Sequence, residues 1–150
     1  MNKILVIVAF FMLSSTYAQQ SKPAELHWET DFEVAKKKSK KYKKPILMLF
    51  TGSDWCPPCK LLKKDFINSE EFKTKSTEFV LLLVDFPKNK ANFTSEQENH
   101  NKELNSAYGV RSLPTLIAVN AEGHIIDKIK NYSASRNTNA HFEFLERVLN

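Results

Sequence analysis

The sequence predicts an α/β domain, a mixed four-stranded sheet with helices on both faces, and three observations carry that prediction. Two short apolar runs, Ile46 to Phe50 and Phe79 to Phe86, have the length of strands and lack polar alternation, as strands covered on both faces do. Segments with helical spacing separate them from each other and from the next strand. Thr115 to Val119 and His124 to Ile129 are then joined by Ala121-Glu122-Gly123, the signature of an antiparallel hairpin. Strands separated by helices predict parallel neighbours with right-handed crossovers, so the hairpin is expected to add an antiparallel edge.

At 150 residues the chain has room for one domain with a substantial core. Residues 1–18 are set apart from it. Lys3, the apolar run Ile4 to Leu13 and the small residues ending at Ala18 follow the pattern of a secretory signal peptide cleaved after Ala18. The run is too short to span a bilayer, which takes about 20 residues. The expectation is an exported protein, periplasmic or secreted, free of the membrane after cleavage.

Residues 19–30 read as an extended lead-in to the domain at 31–150, with Leu26 and Trp28 docking on it. Asp31 caps a helix running to about Tyr42, with Phe32 and Ala35 on one face, and Pro45 ends it. After Cys59, Leu61, Leu62 and Phe66 keep helical spacing, and Ser69-Glu70-Glu71 opens a further turn toward Lys75. Pro87 to Phe93 is a polar loop, and Ser95 with Glu98 offers a capping box for a helix ending near Tyr108-Gly109. Thr138 to Leu149 closes the chain as an amphipathic helix with Phe142, Leu145 and Leu149 inward.

The formal charge is +5, much of it between Lys36 and Lys44. Aromatic side chains do not interleave with these lysines as in nucleic-acid binders, so the run reads as a solvated helix face. Nothing demands assembly, and a monomer is expected.

Two cysteines only, Cys56 and Cys59, lie two residues apart between a buried strand and a helix. A bridge closing so short a loop constrains the unfolded chain weakly, so stability alone explains the pair poorly. At a helix N-terminus, unpaired N–H groups and the macrodipole favour an anion, which helps Cys56 to ionise. Cys56 is then the exposed attacking thiolate, and Cys59, one turn on, the more buried resolving thiol. A zinc half-site is the competing reading. Structural zinc takes four ligands, and His27, His100, His124 and His141 are scattered, so neither a metal nor a cofactor is expected. A fixed structural disulfide is the other alternative.

Trp55-Cys56-Pro57-Pro58-Cys59-Lys60 resembles the active-site motif of the thioredoxin family, Trp-Cys-x-Pro-Cys-Lys. Tyr108 to Thr115 is similar to the segment of that family that carries its cis-proline. The resemblance implies the thioredoxin fold over roughly residues 31–150 and thiol–disulfide exchange with cysteine-containing proteins, as reductant or isomerase-type partner. It implies a cis Leu113–Pro114 bond, with Pro114 shielding the thiols from metals. Trp55, Pro57, Leu113 and Thr115 are the implied substrate contacts, Leu113 through its backbone. A thiol–disulfide electron donor, in some systems membrane-bound, would recharge the pair.

Two departures stand out. The family's buried aspartate before the motif is missing from Met48-Leu49-Phe50, and Pro57 removes an N–H near Cys56. With no histidine between the cysteines, a reducing to intermediate potential is expected. The competing function on the same fold is a binding module or chaperone whose disulfide is structural.

Overall fold

The computed structural model describes residues 25–150, so the signal peptide and the start of the lead-in lie outside the described residues. The elements are β1 (Trp28–Glu29), α1 (Phe32–Tyr42), β2 (Ile46–Thr51), α2 (Pro57–Leu62), α3 (Glu70–Ser76), β3 (Val80–Asp85), α4 (Ser95–Ala107), β4 (Thr115–Val119), β5 (Ile125–Lys130) and α5 (Asn139–Leu149). A π-helical turn, Lys63–Ile67, extends α2.

The sheet has five strands in the order β1-β3-β2-β4-β5, one more than the four expected. The extra strand comes from the lead-in. Trp28 and Glu29 pair in parallel with Leu81 and Leu82, covering an edge of β3 that would otherwise leave its ladder groups open. A second correction concerns direction. β2 and β3 are parallel as expected, but β4 runs antiparallel to β2, so the antiparallel pairing begins at the central strand and not at the edge hairpin. The reason lies in where the connection returns. Asp85 at the end of β3 and Thr115 at the start of β4 flank the same end of β2, opposite Thr51 and Phe50. The connection through α4 therefore comes back to the end of the sheet it left.

All six residues of β2 are buried, and its side chains alternate between two cores as strand geometry requires. Leu47 and Leu49 join Phe66, Phe72, Phe144 and Leu145 beneath α3 and α5. Met48 and Phe50 join Ala35, Leu82 and Leu104 beneath α1 and α4. Helices thus cover both faces, as the apolar runs predict.

Local chemistry sets the helix ends. The Asp31 carboxylate accepts the Val34 N–H at 2.9 Å, and the left-handed Lys43 (φ 54°) ends α1 before Pro45. α4 is capped one residue earlier than the capping box suggests: Thr94 Oγ1 accepts the Gln97 N–H. In α5 the inward set is His141, Phe144 and Leu145. Phe142 is only half-buried and Leu149 is exposed, because the stripe falls one position away from the expected face.

Leu82 is wholly buried, whereas Leu149 is 40% exposed. Leu82→Ala is expected to cost about 2–5 kcal/mol in urea unfolding, while Leu149→Ala stays within about 1 kcal/mol. Equal losses would show that the core is misassigned.

Candidate active site

The site forms where β2 runs out. Thr51 is the last strand residue, and its carbonyl accepts the Phe86 N–H at 2.9 Å. The Gly52 carbonyl then takes the Cys56 N–H at 2.9 Å and the Trp55 N–H at 3.3 Å, turning the chain tightly into α2. Glycine at 52 leaves room for the Trp55 indole, which packs directly over it: a Cβ there would lie 2.6 Å from the ring and force it to move.

Cys56 caps α2, and Cys56 and Cys59 form a disulfide with Cα atoms 5.3 Å apart. The expected contrast in exposure is not there, since each cysteine is only 4% exposed. Direction separates them instead. Cys56 lines an open groove of about 540 Å³, whereas Cys59 borders a smaller apolar cavity of about 130 Å³ with Trp28, Leu49 and Leu83. Of the two sulfur-bearing residues, Cys56 is the one that lines the groove.

Pro57 and Pro58 occupy the first two positions of α2. Neither carries an N–H, so of the first three helical residues only Cys59 keeps an amide that could face the Cys56 sulfur. The opposite wall of the groove is the 110–113 loop, and Leu113–Pro114 is cis. The Leu113 backbone makes no hydrogen bond among the described residues, which leaves its N–H and C=O open to an incoming strand.

The structure brings Trp55, Cys56, Pro57 and Leu113 together around the groove. Pro114 is buried behind that wall, its carbonyl accepting the Asn131 N–H. Thr115 does not reach the groove. It is 3% exposed, and its hydroxyl donates to the Ser112 carbonyl at 2.8 Å, so it braces the loop from inside. Among the described residues, no three His, Cys, Asp or Glu side chains are grouped to hold a metal ion.

Several residues shaping the rim were missed in the sequence. Asp54 is exposed, as its position beside Trp55 suggests, but it is not idle. Its carboxylate accepts the backbone N–H groups of Asn89 (2.8 Å) and Lys88 (3.0 Å), which hold its carboxyl below the usual carboxylate range. The Trp55 indole N–H donates to the Phe86 carbonyl at 2.7 Å. Ser53 donates from its backbone and its hydroxyl to the Asp85 carboxylate. Together these bonds bind the start of the 87–93 loop to the motif. A carboxylate just before the motif was the available signal for Asp54; a backbone carbonyl such as that of Phe86 leaves no trace in sequence.

Behind α2, the π-helical turn closes with an Asn68 N–H to Lys63 carbonyl bond of 2.9 Å. It presents Asp65 to Tyr132 and Arg136 in the 131–137 loop. Hydrogen bonding from Arg136 is the main cause that holds the Asp65 carboxyl down to about 2.

A disulfide at a strand-to-helix turn, facing a groove walled by a cis-proline loop, defines a class: the thioredoxin-fold thiol–disulfide oxidoreductase domain. The chain belongs to the thioredoxin-like domain family, whose model matches residues 32–146. It is 39% identical to the disulfide bond reductase DsbH of Chlamydia pneumoniae over 109 residues, which are 70% of this chain and 64% of that protein. It is 28% identical to the thioredoxin-related protein DsbJ of the same organism over 143 residues, 91% of this chain and 41% of that one. The chain thus spans less than two thirds of either relative. The solved DsbH oxidoreductase superposes with a TM-score of 0.75 at 30% identity, covering 91% of this chain and 95% of that one. A Thermus thermophilus thioredoxin (TM-score 0.60, 19% identity, 83% of this chain and 87% of that one) supports the fold alone.

A carboxyl at about 2 when folded, against 3.8 for the ordinary group, contributes stability that is complete above roughly pH 4 and lost as the pH falls toward 2. Asp65→Asn is expected to make the melting temperature fall less steeply between pH 4 and 2, measured by circular dichroism, with Glu98, also held down to about 2, keeping part of the slope. A variant as pH-sensitive there as the parent would rule this carboxylate out.

Proposed function

We propose that the chain is a disulfide reductase acting on cysteine-containing proteins outside the cytoplasm, with Cys56 as nucleophile and Cys59 as resolving thiol. The observation that carries the reading is the Cys56–Cys59 disulfide opening, on the Cys56 side, into the groove whose far wall is Leu113–Pro114. The reductase direction agrees with the name of the Chlamydia pneumoniae relative, a disulfide bond reductase.

In the reduced protein, the Cys56 thiolate attacks one sulfur of a client disulfide. That bond breaks, the client's other sulfur leaves as a thiolate, and a mixed disulfide remains on Cys56. Cys59, deprotonated, then attacks the Cys56 sulfur and releases the client's second thiolate. Two electrons have moved to the client, and a thiol donor must return them to reopen the Cys56–Cys59 bond. Pro114 shapes the wall, the Leu113 backbone aligns the client strand, and Trp55 and Pro57 border the entry.

Export rests on the 1–18 leader pattern. Among the described residues no helix is long and apolar enough to cross a membrane. Cleavage after Ala18 would leave Gln19 as the first residue, which N-terminal sequencing of the extracytoplasmic protein reads directly.

With proline at both leading positions of α2, the Cys56 thiolate receives few backbone donors, so the reduced form gains little stabilisation and the couple stays reducing to intermediate. Equilibration with glutathione should place it well below the roughly −120 mV of strong oxidants, and a value near that figure refutes this part of the reading. In an insulin-reduction assay Cys56→Ser is expected to lose all turnover. Cys59→Ala should instead accumulate mixed disulfides on Cys56, visible by non-reducing electrophoresis. Turnover that persists in Cys56→Ser refutes Cys56 as the nucleophile, and no turnover in the parent points to a binding module with a structural disulfide.

A further inference from the structure

Building on the exchange activity proposed above, we propose that the groove selects client segments carrying a carboxylate close to the reactive cysteine. The groove's own lining carries charge of one sign among the described residues, although the Asp54 carboxylate stands on the same rim. Among the described residues Arg111 is the only charged one lining it; its side chain is exposed and forms no ion pair or hydrogen bond with any of them. On the other side Lys88 places its ammonium 5.3 Å from the centroid of the Trp55 ring, itself a groove wall, and it too has no ion pair among the described residues.

Neighbouring carboxylates do not cancel these cations by pairing with them. Asp54 is occupied by the backbone amides of Lys88 and Asn89, and Asp85 by Ser53. Lys90, farther along the same loop, differs: Glu98 holds it at 2.7 Å, so it adds little free charge. Two cations with no ion pair among the described residues thus flank the nucleophile's groove, whereas Lys60 borders the cavity on the Cys59 side.

The loop is also pre-ordered for this task. The Asp54 clamp and the Trp55–Phe86 hydrogen bond fix the backbone that carries Lys88, so pairing with a client costs less ordering than a free loop lysine would. Arg111 can grip a carboxylate with two parallel N–H bonds. An acidic segment gains on both walls, and the same field speeds its approach at low salt. A basic segment meets repulsion on both.

The test uses three peptide disulfides differing only in Glu, Gln or Lys beside the bridged cysteine. Each is reduced in a single turnover by the reduced protein. Rates are normalised to reduction by the neutral thiol 2-mercaptoethanol, which removes the effect of the flanking charge on the peptide's own sulfur. At low salt the order Glu, Gln, Lys is expected, with Glu about three- to fivefold ahead of Gln. High salt should bring the ratio near one. Lys88→Gln combined with Arg111→Gln is expected to abolish the preference, while Lys37→Gln, on the distant α1, keeps it. Equal normalised rates for the three peptides, or a preference that survives the double variant, overturns the inference while leaving the exchange activity standing. Failure to reduce any peptide in a Cys56-dependent way defeats the activity and this selectivity together.

Discussion

Six consecutive residues of β2 are buried, and the strand pairs with β3 on one side and β4 on the other. Everything at the site is positioned by that double pairing. The register with β3 sets Thr51 beside Asp85, which brings Phe86 and its loop against the motif. The register with β4 sets Phe50 beside Thr115, which brings Leu113–Pro114 across from the disulfide. A slip of one residue on either side would turn the apolar side chains of β2 toward the wrong core and separate the groove walls.

The end of β2 shows how a rigid strand hands its geometry to a reactive turn. Its last carbonyl, that of Thr51, accepts the Phe86 amide, and the Gly52 carbonyl just beyond it accepts those of Trp55 and Cys56, so few backbone groups there are left to water. The motif is tied down by the protein's own main chain more than by side-chain packing. That suits a sulfur that must be held still yet remain open on one side. The two prolines that begin α2 extend the principle, since their fixed φ angles stiffen the first turn while withholding donors from the sulfur.

Much of this was legible in the sequence. The two apolar runs gave the buried strands, Asp31 and Ser69 gave helix starts, and the spacing of Cys56 and Cys59 placed the disulfide at a strand-to-helix turn. The errors share a cause. Periodicity reports which residues face a core, but not which end of the sheet a connection returns to, so the direction of β4 was out of reach. Trp28 and Glu29 are too few to show a strand pattern, and only the open edge of β3 makes them one. At the site, side chains that bond to backbone groups, such as Asp54 to Lys88 and Asn89 or Thr115 to Ser112, depend on distances that chain order does not encode.

The contact between Gly52 and the Trp55 ring also bears on how this surface can change over time. Because the indole rests where a methyl group would stand, residue 52 is not free to vary while Trp55 stays in place. Any larger residue at 52 would evict the tryptophan, and the indole bond to Phe86 and the support for Lys88 would go with it. A side chain at 52 therefore calls for a smaller residue at 55, and the smallest residue in the turn sets how large its aromatic neighbour can be.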